Sequence, residues 1–227
     1  MLKKILFYAV LFTITATNAQ FTGSFNFIMT QEYQNGNTRT DTISYTFAEA
    51  KSAIIIHARG NQPDLRLIFH PGDSTITGLF EQNGRKGGYI LPMNEQSWPA
   101  MHYALRDYGT GPRTQLHYTN QSKEILGYTS HEIRCEEDDF SASLWIAPEI
   151  PLSLTAVLAY QFVGVGEDLK DLDRFSRCGV QGFAMETYIN DKKRNATITL
   201  KIEDFSDEFD KAIFNTEGFQ VSDMRKQ

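Results

Sequence analysis

Ser24-Phe25-Asn26-Phe27-Ile28-Met29 and, across Asn35-Gly36, Thr42-Ile43-Ser44-Tyr45-Thr46-Phe47 decide how this chain is built. Phe25, Phe27 and Met29 fall on one side of an extended backbone, with Ser24 and Asn26 on the other. Ile43, Tyr45 and Phe47 repeat the pattern against Thr42, Ser44 and Thr46. A period of two marks strands with one buried and one wet face. Asn-Gly readily takes the positive φ angles of a type I′ turn, so Asn35-Gly36 should join the two runs as a hairpin. Asn83-Gly84 recurs as a second such signal.

Working outward, short strands are expected around Ala53 to His57, Leu65 to Phe69 and Thr75 to Phe80, broken by Gly60 and by Pro71-Gly72-Asp73. Connections this short favour sequential antiparallel pairing, so the first half reads as a meander. The period then changes. Trp98, Met101, Leu105 and Tyr108 recur at helical spacing and predict a helix from Trp98 to Tyr108, with Pro99 in its first turn and Gly109 at its end. A second helix is expected from Pro151 to Phe162, with Leu154, Val157 and Leu158 on its apolar side. Both are too apolar to stand in water and should lie across a sheet. Strands return at Ile125 to Glu136 and Phe140 to Ile146, joined by the acidic turn Glu137-Asp138-Asp139. A final hairpin spans Val180 to Asn190 and Ala196 to Phe205. Phe209 to Met224 reads as a helical turn and an extended tail. The expected class is mainly β (α+β), one antiparallel sheet with two or three short helices.

Residues 1–19 have the form of an export signal: Lys3 and Lys4, an apolar run from Ile5 to Ile14, and Thr17-Asn18-Ala19 before Gln20. The run is too short for a permanent bilayer span. The expected mature start, Gln20-Phe21-Thr22-Gly23, has no lipid-accepting Cys. The expectation is a soluble periplasmic or secreted protein, a single domain over residues 20–227, with no transmembrane segment after cleavage. The full chain carries 22 Lys and Arg against 28 Asp and Glu, a net charge of −6. Acidity without a basic stripe disfavours nucleic acid and anionic membrane surfaces. Cys135 and Cys178 are an even pair, either one disulfide in an oxidising compartment or two separately buried thiols. A bond would constrain the unfolded chain by about 4 kcal/mol.

Local motifs carry little chemistry. His57, His70, His102, His117 and His131 show none of the paired spacings of a zinc site. Ser130 and His131 are adjacent in a strand, point to opposite faces, and cannot form a nucleophile–base pair. No Gly-x-Ser-x-Gly occurs. Gly164-Val165-Gly166 lacks the third glycine of a phosphate loop. Gly84-Arg85-Lys86-Gly87-Gly88 has the look of a basic phosphate nest but sits between strands, as a solvated hairpin end would. Glu167, Asp168, Asp171 and Asp173 lack EF-hand spacing. No metal, cofactor or enzyme activity is expected.

Four patterns together resemble an exported domain-of-unknown-function family of Gram-negative bacteria. They are Ile125-Leu126-Gly127-Tyr128, Leu144-Trp145-Ile146-Ala147-Pro148-Glu149-Ile150-Pro151, Gly182-Phe183-Ala184-Met185-Glu186 and Phe214-Asn215-Thr216-Glu217-Gly218-Phe219. Ser130 stands where that family often has Cys, and Ala184 where it has Pro. Such families are similar in architecture to the lipoprotein-localisation (LolA/LolB-like) carriers. The resemblance implies a strongly curved antiparallel sheet, a half-barrel, whose helices cover the concave face with lipid chains between.

Two functions follow as expectations. One is a non-catalytic envelope protein that binds a lipid or other hydrophobic ligand against Trp98, Met101, Leu105, Leu154, Val157 and Leu158. The other is a structural or interaction protein of the envelope, with a filled core, no ligand and a protein partner. Space between sheet and helices separates them.

Overall fold

The computed structural model describes residues 21–60, 62–106, 108, 115–164 and 169–225, so the expected signal lies outside the described residues. The period-two runs form β1 (Gly23–Tyr33), β2 (Thr38–Phe47), β3 (Ser52–Ile56), β4 (Leu65–His70), β5 (Thr75–Gln82) and β6 (Arg85–Pro92), an antiparallel meander. A second meander comprises β7 (Leu116–Ile125), β8 (Tyr128–Glu136), β9 (Phe140–Ala147), β10 (Phe183–Asp191) and β11 (Ala196–Ser206). β11 then pairs with β1, setting Phe27 beside Ile202 and Met29 beside Leu200, so the inner rows of the two halves merge. β12 (Gln220–Asp223) adds in parallel to β6. The order β12-β6-β5-β4-β3-β2-β1-β11-β10-β9-β8-β7 leaves β12 and β7 as edges, and the sheet does not close.

Inner-face side chains from both halves meet three short helices in one core. These are α1 (Met101–Ala104), α2 (Leu154–Ala159), which continues as a 3-10 turn over Tyr160–Phe162, and α3 (Lys170–Ser176). The outer face differs between halves. Over β3 to β6 it carries Ala53, Ile68 and Leu79, covered by Ile213, Phe214, Phe219 and Val221 of the C-terminal segment. Arg66 fastens that strap by donating to the carbonyls of Ala212, Ile213 and Asn215 (3.4, 3.1 and 2.9 Å). Over β7 to β10 the outer face is polar. Lys123 lies 4.3 Å above the Trp145 ring and pairs with Glu186, and the buried Glu132 carboxylate accepts from Arg134, Ser143 and Thr119.

Several boundaries differ from expectation. Asn83 and Gly84 both take positive φ (53° and 74°), as a type I′ turn requires. At Asn35-Gly36 only Gly36 does (82°), and the Asn35 carboxamide instead accepts from the Asn37 N–H at 3.0 Å, giving a longer loop. Leu126-Gly127 is a two-residue turn rather than the opening of a strand, with Leu126 forced to φ 51°. It separates β8 from β7, which sequence periodicity missed because its outward face is water. The helix expected from Trp98 to Tyr108 shrinks to Met101–Ala104. Asn94 accepts the backbone N–H groups of Ser97 and Trp98, so a turn, not a helix, delivers Trp98 to the core. The final hairpin's first strand begins at Phe183, not Val180.

The acidic stretch is also partly helical. In α3, Leu172 is buried, and Asp171 pairs with Arg174 and Arg194 (3.2 and 2.6 Å). Guanidiniums therefore neutralise the carboxylate that a calcium ion would need; Glu167 and Asp168 lie outside the described residues. Cys178, just past α3, is bonded to Cys135 on β8, with Cα atoms 5.8 Å apart. The disulfide ties the helical layer to the strand carrying Cys135.

Candidate functional site

The helical layer is positioned by its carbonyls. Ser153 caps the start of α2 by accepting from the Ala156 N–H (3.1 Å). At the other end, carbonyls of the last turn accept from two buried aromatics, that of Val157 in addition to the Tyr160 backbone N–H. Tyr45 donates to the Val157 carbonyl (3.0 Å) and the Trp98 indole donates to that of Ala159 (2.8 Å). Gln161 donates in turn to the Tyr45 hydroxyl at 2.8 Å. Burial raises the Tyr45 phenol well above its ordinary value, and burial likewise raises Tyr160, so both stay protonated.

This anchoring fills the space beneath the helices. Phe69, Trp98 and Tyr160 pack tilted and edge-on with centroids 4.7–5.1 Å apart, and Phe25 stacks 5.1 Å from Tyr45. The enclosed space between α2 and β9–β10 is only about 10 Å³, at most about one water. That space is too small for a lipid chain.

An open groove lies beside α2 instead. It measures about 610 Å³ and is lined both by apolar side chains, among them Phe21, Phe47, Leu152, Val157 and Tyr160, and by polar ones, Arg106, Glu149, Ser153 and Gln181. Of the six residues expected to line a cavity, only Leu105 and Val157 border this groove. Trp98, Leu154 and Leu158 are core, and Met101 is half-buried against it. Leu105 is 71% exposed at the rim, because α1 ends before it and cannot turn it inward. Sequence periodicity missed Phe21, Phe47 and Tyr160, since an aromatic bordering a groove and one filling a core look alike in a sequence.

A second arrangement was hidden by sequence distance. Ser44 Oγ lies 2.8 Å from His57 Nε2, and His57 Nδ1 lies 3.0 Å from Asp64, whose other oxygen accepts from the Ala58 N–H. The Ala58 N–H and then His57 hold the Asp64 carboxyl below its usual range. The pattern imitates a hydrolase triad, yet donor counting opposes it. Asp204 can only accept, so Asn26 gives it the Nδ2 donor and turns Oδ1 to Ser44 (2.8 and 2.7 Å). Ser44 then spends its proton on Asn26, not on the ring. Its neighbours are paired strands, whose N–H groups are taken by the ladder and are not aimed at an oxyanion.

The remaining histidines are dispersed over β4, α1, β7 and β8. Ser130 is buried and His131 exposed, confirming their opposite faces. Among the described residues, no three His, Cys, Asp or Glu side chains gather as a metal site. No helix among them is long and apolar enough to cross a membrane.

No protein-family model and no curated protein sequence matches the chain. Among solved structures it is similar to PNGF-II, known in two space groups, at 11% and 10% identity with TM-scores of 0.39 and 0.40. Those matches cover 89% of this chain but only 32% and 31% of PNGF-II, so the chain spans about a third of that protein. It is also similar to a LolA-superfamily protein from Nitrosomonas europaea at 8% identity and a TM-score of 0.35, over 87% of this chain and 91% of that one. Likenesses this loose leave the chemistry of the groove to be read from its own residues.

Proposed function

We propose that the chain is an exported, non-catalytic envelope protein that holds the acyl chain of an amphiphile in the groove beside α2. In this reading residues 1–19 are removed and residues 20–227 act as one domain. The observation that carries it is one 610 Å³ groove whose lining combines aromatic and aliphatic side chains with charged and hydroxylated ones. Its volume is within the range of small-molecule sites, about 300–1,000 Å³. An apolar chain seated along Phe21, Phe47, Val157 and Tyr160 gains about 0.8 kcal/mol per methylene buried, while its head group meets Arg106, Glu149 and Gln181. The buried disulfide supports an oxidising compartment.

A titration of saturated fatty acids of increasing length tests this reading. Each pair of added methylenes should tighten binding by about tenfold until the groove is full. Ala156→Trp, placed on the groove wall with the core untouched, should abolish the trend. Affinity independent of chain length, or undiminished in the Trp variant, would refute it. The filled interior favours one alternative, an envelope interaction protein with no ligand. That protein would bind no fatty acid and would yield a discrete crosslinked partner.

A further inference from the structure

A second groove lies elsewhere, at the step where β12 stops short of the end of β6. It measures about 790 Å³ and is bordered by Gln82, Asn83, Arg85, Lys86, Gln220 and Ser222, among others. β12 begins with Gln220 opposite Gly87, so Arg85 and Lys86 extend beyond it with no strand on that side. Gln82 and Arg85 flank the two-residue turn as a pair. In the alternation of an antiparallel ladder, that pairing turns the Lys86 backbone N–H outward, into the step.

The charges bordering this step have one sign. Arg85 and Lys86 leave opposite faces of β6, and both border the groove; no carboxylate does. Glu81, directly across from Lys86, borders the neighbouring groove under the strap, which Lys86 borders as well. Neither cation forms an ion pair among the described residues, and Lys86 is held with its ammonium 5.5 Å from the Phe219 ring. The chain as a whole carries a net charge of −6. Long-range attraction of anions is therefore unfavourable, and recognition must be local. A planar guanidinium, an ammonium, an outward N–H, three carboxamides and a hydroxyl match the oxygens of a phosphate group, which accept from several directions at once. We propose that this step binds a phosphate-bearing ligand, and that the basic Gly84–Gly88 run is its recognition element. The site is separate from the acyl groove.

The test titrates the mature chain with inorganic pyrophosphate and, in a second arm, with vesicles containing phosphatidylglycerol. The R85Q/K86Q double variant and the K192Q/K193Q variant, which removes the same charge at a distant turn, are compared at matched salt. Wild type and K192Q/K193Q should bind pyrophosphate alike, and R85Q/K86Q should bind at least about tenfold more weakly with unchanged melting. Vesicle binding that also needs Arg85 and Lys86 assigns the phosphate to a lipid head group. Pyrophosphate binding alone assigns it to a soluble ligand. Equal loss in both variants, equal affinity in all three proteins, or binding of neither probe overturns the proposal.

Discussion

Replacing Tyr45 by Phe removes one oxygen and tests whether the helical layer is hung from the sheet by its carbonyls. The ring should keep its stacking on Phe25 and Phe47, so packing changes little. What is lost is the bond to the Val157 carbonyl and the one from Gln161. Gln161 is partly exposed and can turn to water. The Val157 carbonyl keeps the Tyr160 backbone N–H as a partner, so losing the two phenol bonds should cost about 2 kcal/mol in all. Unfolding roughly 200 residues at about 2.1 cal/mol/K each gives about 0.4 kcal/mol per degree, hence a fall in Tm of about 5 °C. Calorimetry of the oxidised protein measures it. A fall below about 1 °C would show that the Tyr45 hydroxyl contributes no net stability, and the anchoring argument would fail.

Removing the disulfide with C135A/C178A should cost about 4 kcal/mol by loop entropy, seen as a lower urea midpoint. An unchanged midpoint would contradict the bond between β8 and the end of α3. Leu126→Asn should raise stability by about 1 kcal/mol, because Asn tolerates the left-handed backbone that a Leu side chain resists; destabilisation would mean the turn is misassigned. For Glu132, burial alone would raise the carboxyl, but Arg134, Ser143 and Thr119 together hold it below its usual range. Its stabilisation is therefore complete above the unfolded-chain value of about 4.3 and lost as pH falls through the lower folded-state value. Wild type should exceed Glu132→Gln in stability at neutral pH and converge with it in acid. A pH-independent gap would refute that account.

The strands with strict alternation were readable because burying one face imposes it: Phe25, Phe27, Ile43, Tyr45, Ala196, Ile198, Leu200 and Ile202 all face as their spacing requires. β7 was not readable, since Leu116 to Ile125 is an edge strand mostly wet on both faces and so has no period. α3 was obscured by the very carboxylates that pair with Arg174 and Arg194. Leu105 matched a helical stripe whose helix ends one residue too soon. The Asn26–Ser44–His57–Asp64 chain joins β1, β2 and the loop that follows β3 through tertiary proximity, which local spacing does not encode. The groove beside α2 is harder still, because it exists only where Phe21, Phe47 and Tyr160 leave room between them.

The groove is tested most directly by native mass spectrometry of the protein released from its compartment without detergent. The account predicts a species heavier than the polypeptide by the mass of an acyl-chain amphiphile, present in wild type and missing from Ala156→Trp. Bare polypeptide in both, or the same adduct in both, would contradict it.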